Sequence, residues 1–302
     1  MKLSVGKKAA TSSEPPPTRI EAIAKVADYL EAAGVADAQE DARALLRAAA
    51  GLTRLELALA PRAPLSDEEA RTLSDYAARR VAREPVSRIL GERGFWTLDL
   101  AVTPGVLDPR ADTETLVETA LSFLAKKRDA PLSILDLGAG SGAIACALLS
   151  EFPGARAVAV DLSAEACAAT AANLARCGFS NRASVVRGRW AEALQGRFDL
   201  IVSNPPYVRT DDIAGLEPEV RLHDPALALD GGADGLDCYR EIIRDMPRLL
   251  AEDGLVLFEV GFDQAVSVAT LLGAKGFQIE RVARDAGRHE RVVAARLAAS
   301  GK

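Results

Sequence analysis

Leu132-Ser-Ile-Leu-Asp-Leu137 is an apolar run carrying one acid, and it opens directly onto Gly138-Ala-Gly140-Ser-Gly142 and a second apolar stretch, Ala143–Glu151. The residues read as a buried strand, a tight turn and a helix. Glycines in such a turn let the backbone reverse sharply and let a ligand approach without meeting a Cβ. A glycine turn alone is weak evidence, because many α/β folds need one for packing. The same alternation continues downstream. Strands are expected at Arg156–Asp161, Ala183–Arg187, Phe198–Ser203, Leu255–Val260, Phe277–Ala283 and Arg291–Leu297. Helices are expected from Ala164 to about Cys177, over Tyr239–Leu250 and over Gln264–Lys275. Strands separated by helices predict βαβ units, hence a seven-stranded, mostly parallel Rossmann-like α/β sheet covered on both faces. Only a short loop joins the last two strands, so one of them should be antiparallel.

Upstream the period changes. From Thr18 to about Glu84 every signal is helical. Ile20, Ile23, Ala27 and Leu30 share a face and stop at Gly34, a candidate C-cap. Asp37-Ala-Gln-Glu40 has capping-box form and opens a second helix that ends at Gly51. Thr53-Arg-Leu-Glu56 opens a short third before Pro61, and Ser66-Asp-Glu-Glu69 a fourth that stops at Pro85. These 67 residues carry 10 Lys/Arg against 12 Asp/Glu, so they are not a basic nucleic-acid arm. In Phe95-Trp-Thr-Leu-Asp-Leu-Ala-Val102, residues Trp96, Leu98, Leu100 and Val102 alternate as on one strand face; a short strand or hairpin fits there. A helix through Leu116, Val117, Ala120, Leu121 and Leu124 should follow. The expected organisation is a disordered tail (1–17), a small all-α docking domain (18–84), a linker with a short hairpin (85–110) and the α/β domain (111–298).

Composition narrows the classes. Of 302 residues, 49% are hydrophobic and 26% charged, as in a soluble globular protein, and the net charge of −6 weakens any case for non-specific nucleic-acid binding. No apolar run is long enough to span a membrane, and the first residues lack the apolar core of a secretory signal. Cys146, Cys167, Cys177 and Cys238 form no Cys-x-x-Cys pair, which argues against a zinc site and fits reduced, mostly buried thiols in a cytoplasmic protein. His223 and His289 are far apart in sequence, so a histidine relay is not expected.

Two further features carry chemistry. Asp161 ends the second strand of the α/β region, 23 residues after Gly138, where a carboxylate can accept both hydroxyls of an adenosine ribose. Together with the turn it points to a nucleoside cofactor. The glycine spacing, Gly-x-Gly-x-Gly, is not the dinucleotide fingerprint, whose third glycine would fall at Ala143. S-adenosylmethionine carries no phosphate, tolerates the tighter loop, and needs an acceptor nucleophile. Asn204-Pro-Pro-Tyr207, at the end of Phe198–Ser203, is such an acceptor site. Two prolines make a stiff, extended segment. It can hold the Asn204 side chain and the Pro205 carbonyl at a fixed separation beside an aromatic ring. Two acceptors and a ring suit a planar –NH2 group. The plainer reading is a strand-ending turn.

The order of these two motifs resembles the amino- and amide-directed S-adenosylmethionine methyltransferases. With the N-terminal helices, Gly91–Trp96, Pro109–Glu114, Ile134–Ile144, Val202–Val208 and Arg288–Val292, most of the chain resembles the peptide chain release factor glutamine methyltransferases. That resemblance implies a class I methyltransferase sheet. It implies that Gly138, Ala139, Gly140, Ser141 and Gly142 take the methionine portion of the cofactor, Asp161 the ribose, and Trp190 the adenine face. Asn204, Pro205, Pro206 and Tyr207 hold the acceptor, with Asn204 also beside the cofactor. The acceptor would be the glutamine of the Gly-Gly-Gln loop of class 1 release factors. Three residues depart from the family pattern: Arg189 stands where an acid usually precedes the tryptophan, Ala111 replaces a proline, and Asp108 replaces an apolar residue.

The implied mechanism asks little acid–base chemistry. Asn204 Oδ1, the Pro205 carbonyl and the Tyr207 ring orient the amide, and no metal is called for. A monomer without nucleic-acid or membrane partners is expected. Arg110 and Glu114 could line the cofactor entrance or form a surface pair, and 217–223 could form a lid or a solvated loop. Two rival readings stand beside this one. An amino-methyltransferase acting on adenine or guanine in nucleic acid would use the same acceptors, and a non-catalytic binding module could use the same fold.

Overall fold

The computed structural model describes residues 15–298, so residues 1–14, most of the expected tail, lie outside the described residues. The chain divides into two compact units between Leu90 and Gly91. The first contains α1 (Arg19–Ala32), α2 (Ala38–Ala49), α3 (Arg54–Leu59), α4 (Asp67–Val81) and α5 (Val86–Leu90). Its core is the apolar stripe of α1 and α2, with Ala27, Leu30, Ala42, Leu45 and Leu46 at 1% exposure or less, closed by Leu73 and Ile89. Thr18, Thr53 and Ser66 each cap a helix with a glutamate three residues on, and those backbone donors hold Glu21, Glu56 and Glu69 below the usual carboxylate range. The box expected at Asp37 does not form: Asp37 sits at φ −98°, ψ 36°, and Glu40 pairs with Arg43 instead. A part-buried ion pair, Arg80–Asp41 at 2.7 Å, ties α4 to α2. The α5 turn lies beyond the expected end of the helices at Glu84; Pro85 starts it, as proline readily does at a first turn.

The second unit begins with a hairpin, β1 (Glu92–Phe95) and β2 (Leu98–Ala101), not a single strand. Trp96 sits in its turn at φ +59°, so it leaves the face that Leu98 and Leu100 share. Its indole Nε1 donates to Glu151 at 2.8 Å and its backbone N–H to Glu114 at 2.7 Å. A 3-10 turn at Ala111–Thr113 leads into α6 (Glu114–Leu124). Alternating elements follow: β3 (Ser133–Leu137), α7 (Ala143–Glu151), β4 (Arg156–Asp161), α8 (Ala164–Arg176), β5 (Ala183–Arg187) and β6 (Phe198–Ser203). The remaining elements are α9 (Pro218–His223), α10 (Asp237–Leu249), β7 (Leu250–Glu259), α11 (Ala265–Gly273), β8 (Phe277–Arg284) and β9 (Glu290–Leu297). The seven strands β3–β9 form one sheet in the order β5-β4-β3-β6-β7-β9-β8; β9 pairs antiparallel with β7 and β8, and every other pairing is parallel. Apolar clusters cover both faces, one under α6 and α7 and the other under α10 and α11. β7 starts earlier than its apolar run, because Leu250 already pairs with Phe198 before a register shift.

No helix among the described residues is long and apolar enough to cross a membrane. All four cysteines are free; only Cys146 is fully buried, so the expectation of mostly buried thiols holds for that one alone.

One buried side chain, Asn173 of α8, connects the hairpin to the glycine turn. It accepts from Ala101 N at 2.8 Å and donates to Ala101 O and Ser141 O at 3.0 and 2.9 Å. Asn173→Ala strands these buried groups, and an unfolding titration in urea should register a loss of about 2–4 kcal/mol.

Candidate active site

The glycine turn is shaped by its own hydrogen bonds. Gly138, Gly140 and Gly142 all take positive φ (77°, 56° and 78°), which favours glycine at each place. Gly138 N and Ala139 N both donate to Val160 O, Gly140 N donates to Asp161 Oδ2 at 2.9 Å, and Gly142 N donates to Ala139 O. A Cβ on Gly138 would stand 3.2 Å from the Trp190 ring, and one on Gly142 about 3.0 Å from Thr170. Gly138 is therefore kept small for the ring above the turn, and Gly142 for the packing of α7 on α8.

A cavity of about 640 Å³ opens over this turn. Gly138, Ala139, Gly140, Ser141, Asp161, Trp190, Asn204 and Pro206 line it; Gly142, Pro205 and Tyr207 do not. Asp161 braces the turn from the end of β4, one oxygen on Gly140 N and the other on Ser163 N. Each oxygen keeps a lone pair for a ligand. Trp190 takes φ +46°, and its indole N–H donates to Glu241 of α10 at 2.9 Å. Arg189 forks onto the same carboxylate at 2.9 and 2.6 Å. Those two donors hold Glu241 below the usual carboxylate range, the Arg189 bonds contributing most. An acid therefore does stand on the cavity wall beside Trp190, brought there by α10 and paired with Arg189.

The wall suits S-adenosylmethionine better than a dinucleotide. Four of the turn's N–H groups already have protein acceptors, so they form no nest for a pyrophosphate. Asp161, Glu165, Asp230, Asp237 and Glu241 face the cavity against only Arg110 and Arg189, and each arginine is paired with an acid. Such a field attracts a sulfonium and an ammonium and repels phosphates.

On the far side of the cavity the two prolines carry the chain from β6 past Asn204. Asn204 Nδ2 donates to Thr113 Oγ1 at 3.3 Å, which turns Oδ1 away from Thr113. Pro205 is buried, and Tyr207 packs against the apolar cluster under α10, where burial pushes its hydroxyl up to about 12. The Tyr207 ring was expected against the acceptor; here it is half-buried, packs on that apolar cluster and does not line the cavity. The motif's backbone is clamped by residues that no local motif marks. Gln264 Nε2 donates to Tyr207 O at 2.9 Å and to Gly235 O at 3.2 Å. A Cβ on Gly231 would stand 2.8 Å from Tyr207 Cα, and one on Gly235 2.5 Å from Tyr207 O. The run Asp230-Gly-Gly-Ala-Asp-Gly235 was the available signal, since glycines grouped between helical segments mark close backbone approach.

Arg110 lines the cavity and pairs with the buried Asp224 at 2.6 Å, whereas Glu114 serves Trp96. The stretch after the motif folds into 3-10 turns and α9, and Pro225, Leu227 and Ala228 return to the cavity wall. Cys238 also reaches the wall, with its thiol pushed up to about 11 by burial.

Gly235→Ala should displace the Tyr207 carbonyl from Gln264, because the added Cβ is strained by φ +75° as well as crowded. A loss of about 2 kcal/mol or more is expected in a thermal unfolding scan read with equilibrium denaturation.

Comparison with known proteins adds a separate line. The PrmC N-terminal domain family matches residues 21–91, and the methyltransferase small domain family matches residues 112–216. A release factor glutamine methyltransferase of Agrobacterium fabrum is 46% identical over 266 residues, 87% of this chain and 92% of that protein. One from Caulobacter vibrioides is 44% identical over 91% of this chain and 95% of its own length. Among solved structures, a release factor-specific protein-(glutamine-N5) methyltransferase of Alicyclobacillus acidocaldarius is 32% identical over 62% of this chain and 92% of that one, with a TM-score of 0.39.

Proposed function

The chain belongs to the release factor glutamine methyltransferase family, and from that premise we propose that it methylates the side-chain amide of the Gly-Gly-Gln glutamine in class 1 peptide chain release factors. The observation that carries the reading is the shared cavity. One acid-rich space is walled by the glycine turn and Asp161 on one side and by Asn204 and Pro206 on the other. A donor held by the first set and an amide held by the second would meet there.

The residues divide the work. Gly138–Ser141 pass beneath the methionine portion without side chains that block it. Asp161 takes the ribose hydroxyls and holds Gly140 in place. Trp190, locked by Glu241, offers a flat wall for the adenine. When bound, S-adenosylmethionine supplies an electrophilic methyl, so an N–C bond forms as the C–S bond breaks, leaving a thioether. An amide nitrogen is a poor nucleophile because its lone pair is delocalised into the carbonyl. Asn204 Oδ1, on the cavity wall, accepts one of its N–H groups, orients the lone pair, and favours positive charge on the nitrogen, while the Pro205 carbonyl would have to reach the other from behind that wall. Positioning of this kind can supply up to ~7–11 kcal/mol. The methylated nitrogen is acidic and passes its surplus proton to water, so no dedicated base is needed.

A base amino group in nucleic acid would satisfy the same two acceptors, but the cavity's acids oppose a phosphate backbone. The reading therefore has the enzyme working in the cytoplasm as a monomer on a protein substrate, with no nucleic-acid or membrane partner.

Purified protein, labelled S-adenosylmethionine and a class 1 release factor should give one labelled peptide, and mass mapping should find the label on the Gly-Gly-Gln glutamine. Absence of label there, or labelling of RNA that weakens steeply with salt, would overturn the reading. Asn204→Ala should lower kcat by about 100- to 1000-fold with little change in cofactor affinity. Asp161→Asn should weaken S-adenosylmethionine binding by about 10- to 100-fold in calorimetry.

A further inference from the structure

A buried acid stands directly behind the acceptor motif, and the mechanism above leaves it unused. Glu259 ends β7 and is 1% exposed. In the parallel pairing of β6 with β7, Ser203 lies opposite Phe258, so Asn204 and Glu259 are the next residues side by side. Thr113, at the start of α6, completes the group: Asn204 Nδ2 donates to its Oγ1 at 3.3 Å. The Thr113 hydroxyl and the Asn204 side chain both stabilise the Glu259 carboxylate, while its Oε2 makes no hydrogen bond. Arg291 of β9 and Asp112 beside α6 also act on Glu259, and the Tyr207 and Tyr239 hydroxyl groups feel its charge. Arg291 is itself committed to Asp285 at 3.0 Å and Asp112 at 3.2 Å.

We propose that Glu259 is a positioning residue for the acceptor amide: with Thr113 it holds the Asn204 Nδ2 group, so that Asn204 can present only Oδ1 to the substrate. The proposal rests on the function proposed above. An asparagine amide is nearly symmetric in shape, and only its hydrogen bonds decide which end faces the cavity. A flipped Asn204 would aim two donors at the substrate amide, which offers donors of its own. Glu259 prevents this, because an ionised carboxylate accepts and cannot donate. On this proposal the Thr113 hydroxyl directs its O–H toward Glu259, whose carboxylate it stabilises, and its lone pair toward Asn204 Nδ2, so both neighbours enforce one orientation. A donor bond from Nδ2 toward a carboxylate also draws electron density onto Oδ1 and strengthens its hold on the substrate N–H. The negative charge of Glu259 also stabilises the positive charge that develops on the acceptor nitrogen.

Burial pushes the Glu259 carboxyl up to about 7, with the Thr113 hydroxyl the largest of the groups pulling it down. The device works only when Glu259 is ionised. A folded-state value above that of a free glutamate means protonation sets in near neutrality, so kcat should rise with pH through about 7 and then level.

The test uses the full chain with S-adenosylmethionine and a class 1 release factor. Glu259→Gln keeps the shape and removes the charge. It should lower kcat by about 10- to 100-fold, leave the KM for S-adenosylmethionine within about twofold, and abolish the rising limb near neutral pH. Thr113→Val should lower kcat similarly, and Thr113→Ser should restore it. Thermal unfolding and cofactor calorimetry confirm that each variant is folded; if Glu259→Gln is not, the Thr113 pair decides. Wild-type kcat and an unchanged pH profile in Glu259→Gln, or equal rates in the two Thr113 variants, would overturn the proposal. Survival of the rising limb in Glu259→Gln would assign it instead to Asp136, the other buried acid near neutrality. Failure of the wild-type protein to label the glutamine at all would sink the function itself, before any variant is made.

Discussion

The pairing of β3 with β6 is the constraint on which the site depends. These strands are adjacent and parallel, with Leu137 opposite Ser203, and the buried Ser203 hydroxyl donates to Leu137 O at 2.6 Å. The next residue on each strand is Gly138 on one and Asn204 on the other, so the register alone brings turn and acceptor motif to the same edge. The chain leaves β3 toward β4 and β5 and returns on the other side through β6 and β7. That reversal opens a crevice between the two loops, which is where open α/β sheets bind ligands. Slippage by one residue would carry Asn204 to the opposite face of the sheet.

Electrostatics then sorts what the crevice accepts. Its wall carries five acids against two arginines, and those arginines are neutralised by Asp224 and Glu241. Beneath it lie two buried acids on the strands that flank the crevice, Asp136 of β3 and Glu259 of β7, with β6 between them. Asp136 is fully buried, burial pushes it up to about 7, and neither of its carboxylate oxygens has a hydrogen-bond partner. Glu259 is raised by the same cause and faces the acceptor motif rather than a helix end. Similar burial leaves the two in different company: both oxygens of Asp136 are without a partner, whereas an asparagine and a threonine act on Glu259.

Much of this was legible in the residues. The strand starts and ends at Arg156–Asp161, Ala183–Arg187 and Phe198–Ser203 were set by short apolar runs with polar or glycine borders. Trp96 was misread as part of one strand face, because alternation cannot reveal a turn whose conformation is held by Glu114 and Glu151 from elsewhere in the chain. Asp37 had the spacing of a cap without its backbone geometry. Glu241, Gln264, Thr113 and Glu259 were not found, since each acts on a residue 51 to 91 positions away or across a strand pair.

By itself the sequence determined the helical unit, the alternating sheet, the glycine turn and the Asn-Pro-Pro-Tyr segment. Those depend on local torsional preference and on periodic burial, which short stretches carry within themselves. Only the tertiary structure decided that Glu241 pairs with Arg189 and Trp190, that Tyr207 packs on the cluster under α10, and that Asn204 donates to Thr113. Hydrogen bonds between distant elements depend on strand order and register, and these are settled by the packing of the whole sheet rather than by any one segment.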